Sequence, residues 1–368
     1  MSATTSRAAS GVQYRLENCG YTADVASVGA SLRSLRIEGR DLIVPFAANE
    51  VRPAFRGAVL APWPNRVVDG RYTFDSESRS LRITESNRGH ALHGLAAWLD
   101  FDLVAQSAHT VELTAVIEPQ AGYPHRVQIT ALYSLGAEGL VTRISASNIG
   151  PSTATVGLSA HPYLVAGPGT VDDWFLSVPA DRVMAVPRRL APTGGVDVDG
   201  DLDLRYGQSL SDVSVDHAYT SLALDHCGLT QVVLTDASGV GVVMEWGPNC
   251  AWVQIHTADL PDPETTRRGV AVEPMSCPPD AFNSGTDLWR LAPGEGASVW
   301  WIIRALRGRP ATEQIRLIRD PLSTGALDLG WSSRARWECS QYRRVPLRRG
   351  RLGRSSHAPE KRKSNGRG

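Results

Sequence analysis

Up to Leu306 the chain alternates apolar and polar positions with the period of a β-strand. Val111, Leu113, Ala115 and Ile117 occupy every second position of the 109–119 segment. Val127, Ile129, Ala131, Tyr133 and Leu135 do the same in 126–135, and Ile144 and Ala146 continue the pattern in 140–147. Successive strand side chains point to opposite faces, so this spacing sends one set into a core and the other toward solvent or a facing cleft. The runs are punctuated by Asp69-Gly70, by Asn148-Ile149-Gly150-Pro151 and by Ser238-Gly239. The 231–246 segment reads as two strands joined at the Ser238-Gly239 turn. Amphipathic helical periodicity is nearly absent before Leu306, and no repeat of fixed period is visible. Many short strands with frequent turns predict an all-β chain, an antiparallel sandwich or barrel, and argue against alternating β/α units.

Composition changes the picture at one place. Of 368 residues, 42% are apolar and 21% charged, which is enough to bury a substantial core. The formal net charge of zero conceals an asymmetry: residues 307–368 carry 16 Arg and Lys against 5 Asp and Glu, a net +11, which leaves 22 against 33, a net −11, for residues 1–306. Both lysines, Lys361 and Lys363, lie in the basic segment. Dense like charge with little apolar content cannot bury enough surface to offset ordering entropy. The expectation is a β-rich domain over 1–306 and a disordered Arg-rich tail over 307–368. The tail is either a solvated extension or a site of phosphate contacts with nucleic acid. No apolar run suits a signal peptide or reaches the roughly 18 residues of a membrane span, which points to a cytoplasmic protein. Five scattered cysteines (Cys19, Cys227, Cys250, Cys277 and Cys339) form no close pairs and fit reduced thiols better than disulfides or a zinc site.

Four short islands carry candidate chemistry. In 57–66 an apolar run ends in Asn65-Arg66, and the planar donor fork of an arginine there suits either hydroxyl and carboxylate oxygens in a cleft or an ordinary ion pair. His90 and His93 lie three apart, but no third residue has metal-ligand spacing, so no metal is expected. His161 follows a strand-like run and precedes Pro162, whose ring restrains the backbone; it fits a general acid titrating near neutrality or a structural histidine. Glu273 ends the run Val270-Ala271-Val272 and fits either an exposed strand-end carboxylate or a base, since partial desolvation there would raise a carboxyl toward the working range. Val270 and Val272 share one face there, Ala271 and Glu273 the other. Asp216-His217 adds an acid–imidazole pair in a short polar break.

Read together and in this order, the islands resemble the aldose 1-epimerase (galactose mutarotase) family from about Gly11 to Arg304. Asn65-Arg66 resembles the family's substrate-binding Arg motif, and Leu92-His93-Gly94 its Leu-His-Gly motif. His161 with Tyr163 resembles the catalytic His-x-Tyr element. Asp216-His217 resembles the Asp-His pair, and Glu273 with the trailing Pro279-Asp280-Ala281 resembles the catalytic Glu motif. The resemblance implies a large antiparallel β-sandwich with a sugar in a cleft across one sheet. It implies Glu273 as base, His161 as acid, and Arg66, Asn65, His93 and Asp216 as hydroxyl-binding groups. It implies no metal or organic cofactor and a small sugar as substrate, with no membrane partner, and it leaves the oligomeric state open. Ala160 and Met275 stand where many relatives have Asn and Gln, which leaves the sugar open. A hexose 6-phosphate, or a binding protein without catalysis, is the alternative. Trp63, Trp98, Trp246 and Trp252 fit either a flat face for a sugar ring or core packing.

Overall fold

A computed structural model describes residues 7–186 and 189–308. The chain is built almost wholly of antiparallel strands, as the alternation predicts. Among the described residues the one α-helix is the single turn Ala281–Ser284, and the rest of the helical content is short 3₁₀ turns. No helix among them is long and apolar enough to cross a membrane. Cys19, Cys227, Cys250 and Cys277 form no disulfide. The readings made for the basic tail, and Cys339 with it, lie outside the described residues.

The largest sheet has nine strands. Its centre is the run Thr110–Ile117, Val127–Gly136, Gly139–Asn148, Gly296–Leu306 and Gly241–Trp246, each hydrogen-bonded to the next. In Thr110–Ile117 and Val127–Gly136 buried positions alternate with half-buried ones without a break, so one face is the core. Thr230–Thr235 and Gly241–Trp246 pair as a hairpin. Asp236 fastens its turn, its Oδ1 accepting from the backbone N–H of Ser238 at 2.8 Å and of Val240 at 3.1 Å.

A second sheet carries the chemistry. Its six strands run in the order Tyr163–Leu164, Val270–Met275, Trp252–His256, Asp216–Leu222, Ala180–Ala185, Gly194–Asp197. Val253, Ile255, Val270 and Val272 project from one face into the same apolar core that takes Val111, Ile129, Ile144 and Ile303 from the nine-stranded sheet. Each such side chain contributes about 1.5–3 kcal/mol when fully buried. The core also takes Leu16, Val25 and Leu35 from a four-stranded sheet over Gln13–Asp41, so sheets pack face to face as in a sandwich. Val270–Met275 is buried at all six positions, on both faces. The face opposite the core carries polar groups that are nonetheless out of water.

Candidate active site

The four islands come together through two-residue pairings. Val59–Leu60 pairs with Ser159–Ala160, and the link continues as Gly57 N–H donates to the His161 carbonyl at 2.8 Å and His161 N–H to that of Ala58 at 3.1 Å. Arg66–Val67 pairs with Ala91–Leu92, and His93 N–H donates to the Asn65 carbonyl at 2.8 Å. Tyr163 stands opposite Ala271, which brings the His161 segment beside the Glu273 strand. Local backbone chemistry explains the Leu-His-Gly island. His93 adopts a left-handed conformation with φ 60°, and Gly94 follows at φ 74°. A Cβ on Gly94 would stand 2.1 Å from the Ala61 carbonyl oxygen, so no other residue fits there.

Sheet register defines the functional face. Glu273 is opposite Gln254, Gln254 opposite Ala218, Ala271 opposite His256, and His256 opposite Asp216. Directly opposed residues of an antiparallel pair share a face. Glu273, Gln254, His256 and Asp216 therefore stand together. His217, one residue on from Asp216, points to the other side; of that pair only the acid faces the site.

His161 meets Glu273 at 3.2 Å between Nε2 and Oε1, both side chains almost fully buried. Tyr163 stacks on the His161 ring at 4.8 Å, and His93 meets it edge-on at 5.1 Å. Phe55 lies against both, 4.7 Å from His93 and 6.5 Å from His161 between ring centroids. Arg66 is held by its side edge: Nε and Nη2 donate to the two oxygens of Glu85 at 2.8 and 3.0 Å. Its Nη1 donates to Asn65 Oδ1 at 3.1 Å, and its Nη2 lies 3.9 Å from Asp216. Asp216 accepts from Gln254 Nε2 at 2.7 Å. Asp280 clamps the chain after Arg66, its N–H donating to the Arg66 carbonyl at 2.7 Å and its Oδ1 accepting from Val68 N–H at 2.9 Å.

Burial sets the protonation states. It drives Glu273 well above the usual carboxylate range; the charge of Asp216 adds to this and that of Arg66 opposes it. Burial also pushes His161 down to about 3, helped by His256, and pushes His93 well below the usual imidazole value. The expectation that His161 titrates near neutrality is corrected: a ring this deeply desolvated resists taking a charge without a ligand. At Glu85, burial works to raise the carboxyl, but its bonds to Arg66 and Arg88 outweigh that and hold it below the ordinary value.

Four polar atoms of this face are buried with no partner in the protein: Nδ1 of His161, Oε2 of Glu273, Oε1 of Gln254 and Nδ1 of His93. An unsatisfied buried polar atom is costly, and these four belong to neighbouring side chains left open to a hydrogen-bond partner from outside the protein. All six residues singled out from the sequence (Asn65, Arg66, His93, Asp216, His161 and Glu273) contribute to this region. His90 does not: its Nδ1 accepts from Asp69 N–H at 3.2 Å and its Nε2 donates to the Arg189 carbonyl at 2.9 Å. Of the four tryptophans, Trp63, Trp246 and Trp252 are buried, whereas Trp98 is 55% exposed beside Phe55, with the Arg52 guanidinium 4.4 Å from its ring. Sequence reasoning missed Glu85, Gln254, His256 and Phe55. The Trp-Val-Gln-Ile-His alternation at 252–256 was a usable signal for Gln254 and His256; none existed for Glu85, which depends on tertiary pairing.

The family model for aldose 1-epimerase matches residues 12–304. The uncharacterised Escherichia coli K12 protein YihR is 37% identical over 278 residues, 75% of this chain and 87% of YihR. Among solved structures, the GalM/aldose epimerase homologue of Caenorhabditis elegans superposes with a TM-score of 0.72 at 18% identity, over 81% of this chain and 100% of that one. The galactose 1-epimerase of Lactobacillus acidophilus NCFM does so with a TM-score of 0.68 at 17% identity, over 80% and 95%. These two share the fold, and the family match spans nearly all of the described chain. The protein belongs to the aldose 1-epimerase family.

Proposed function

We propose that the protein is an aldose 1-epimerase that interconverts the α and β anomers of a hexose, with Glu273 as base and His161 as acid. The observation that carries this reading is the 3.2 Å contact between the two side chains on a face where four buried polar atoms lack protein partners. Burial favours the neutral forms of both groups, so the resting pair holds one transferable proton. Shifting that proton from Glu273 to His161 yields carboxylate and imidazolium, the working pair, with no proton taken from solvent. The carboxylate then removes the proton of the C1 hydroxyl. The O–H electrons form the C1 carbonyl, the bond from C1 to the ring oxygen breaks, and that oxygen takes the proton of His161. Rotation about C1–C2 and closure with the roles reversed give the other anomer. Each general acid or base step contributes about 10²–10⁴-fold. The two proton transfers are complete with these side chains and call for no cofactor.

Arg66, Asn65, His93, Asp216 and Gln254 hold the hydroxyls in this account. With Glu85 on its side edge and Asn65 on Nη1, Arg66 keeps one hydrogen on each terminal nitrogen for the sugar. A neutral hexose suits the site better than a phosphorylated one. The Arg66 charge is shared with Glu85 and Asp216, and Arg52 donates to Val28, Ser31 and Ala97.

The test follows optical rotation of freshly dissolved α-D-glucose, α-D-galactose and their 6-phosphates. Acceleration with a neutral hexose that collapses by about 10²–10⁴-fold in Glu273→Gln is the expected result. Acceleration with a 6-phosphate alone would move the assignment to a hexose-6-phosphate epimerase. Sugar binding without acceleration would leave a carbohydrate-binding protein.

A further inference from the structure

Strand pairing puts a third imidazole on the catalytic face. His256 ends the Trp252–His256 strand two residues after Gln254, opposed in register by Asp216 on one side and by Ala271 on the other. It stands one step along the sheet from the row of Gln254 and Glu273.

The orientation of this ring can be worked out from its one protein contact. Nδ1 lies 3.3 Å from the Val215 carbonyl oxygen. A carbonyl only accepts, so in the neutral ring Nδ1 carries the hydrogen and Nε2 presents a bare lone pair. His256 is half-buried, and its Nε2 is not among the buried atoms that lack a partner. It is therefore an acceptor open at the edge of the site. It adds an acceptor to this face beside the unpartnered Glu273 Oε2 and Gln254 Oε1 and beside Asp216, which already accepts from Gln254.

We propose that His256 reads the substrate, its Nε2 accepting the proton of one sugar hydroxyl and so selecting hexoses that bear that hydroxyl. The inference rests on the epimerase reading and names a specificity-determining residue for it. Donor groups such as Arg66 hold a hydroxyl by its oxygen, whereas His256 demands the hydroxyl hydrogen. A sugar lacking that group would leave Nε2 facing an apolar carbon.

The experiment compares kcat/KM for anomer exchange, by NMR, on the better of D-glucose and D-galactose and on its 2-, 3-, 4- and 6-deoxy analogues. It uses wild type, His256→Phe and His256→Gln. The wild type should be slower on one deoxy sugar by about 5- to 20-fold beyond the others, the scale of one neutral hydrogen bond. His256→Phe should lose a similar factor on the parent sugar and nothing further on that deoxy sugar. His256→Gln, which returns an acceptor oxygen near the same place, should recover most of the loss. Unchanged discrimination in His256→Phe, or an equal slowing on every sugar in both variants, would overturn the role of His256 while leaving the epimerase reading in place. A wild type that accelerates no sugar would overturn both.

Discussion

Two buried pairs of ionisable side chains, one at each large sheet, have opposite characters. On the nine-stranded sheet Arg304 grips Glu245 with two bonds, Nε to Oε2 at 3.2 Å and Nη2 to Oε1 at 2.8 Å. Neither residue leaves a buried side-chain atom without a partner. At the six-stranded sheet Glu273 and His161, which lies just before its Tyr163–Leu164 strand, share one contact and leave Oε2 and Nδ1 unsatisfied. The first pair is closed and takes part only in the architecture. The second is open in the hydrogen-bonding sense, and its cost in the free protein is offset when a ligand supplies the missing partners. Burial alone would not have told the two apart; the count of satisfied atoms does.

Catalysis gives the largest way to break this comparison. His161→Gln should lower kcat by about 10²–10⁴-fold, read by polarimetry, with the folded state intact by circular dichroism. Arg304→Met should do the reverse. It leaves Glu245 buried and unpaired at a cost of about 3–5 kcal/mol in urea unfolding, while the protein that stays folded keeps its turnover number. A double change of Arg304 and Glu245 to apolar residues should recover most of that stability.

Glu85→Gln sharpens the contrast within the site. Glu85 touches Arg66 and Arg88, so it acts as a positioning residue. Its loss of charge should raise KM by about tenfold and move kcat little if, as proposed, Arg66 holds hydroxyls whose partners change little between ground and transition states.

The smallest effect is on stability. Glu273 has a raised folded-state pKa, so between its ordinary value and the raised one the folded protein binds more protons than the unfolded chain. Stability from this group is present at low pH and falls as pH rises above about 4.5. Thermal melts of Glu273→Gln should therefore exceed those of wild type by a few degrees at pH 8, with the gap closing toward pH 4.5. A gap that widens toward low pH would reverse the assigned sign.

Much of the fold was legible because one face of several strands of the nine-stranded sheet differs from the other. Thr110–Ile117 and Val127–Gly136 announce themselves by alternation, and the hairpin at Ser238-Gly239 by its turn residues. Val270–Met275 announced the two faces correctly, but not that both are buried. That depends on the layer covering Glu273, which local sequence does not encode. The same omission explains the expectation for His161: a strand-end histidine before a proline reads as titrating near neutrality until Phe55, Tyr163 and His93 are found packed around it. The six site residues were recognisable as islands in family order. Their convergence was not, because it rests on pairings of two residues each, too short to leave a periodic trace. Glu85 is the clearest case of a residue visible only in three dimensions: it lies in a polar hairpin 19 residues from the arginine it holds.

The central claim is that the unsatisfied pair is the catalytic one, and equilibrium exchange between the anomers tests it most directly. Two-dimensional NMR exchange on a hexose at anomeric equilibrium reads the rate with wild type, Glu273→Gln and Glu245→Gln side by side. The account predicts fast exchange in wild type, background exchange in Glu273→Gln, and exchange per folded molecule close to wild type in Glu245→Gln. Equal loss in the two variants, or none in Glu273→Gln, would contradict it.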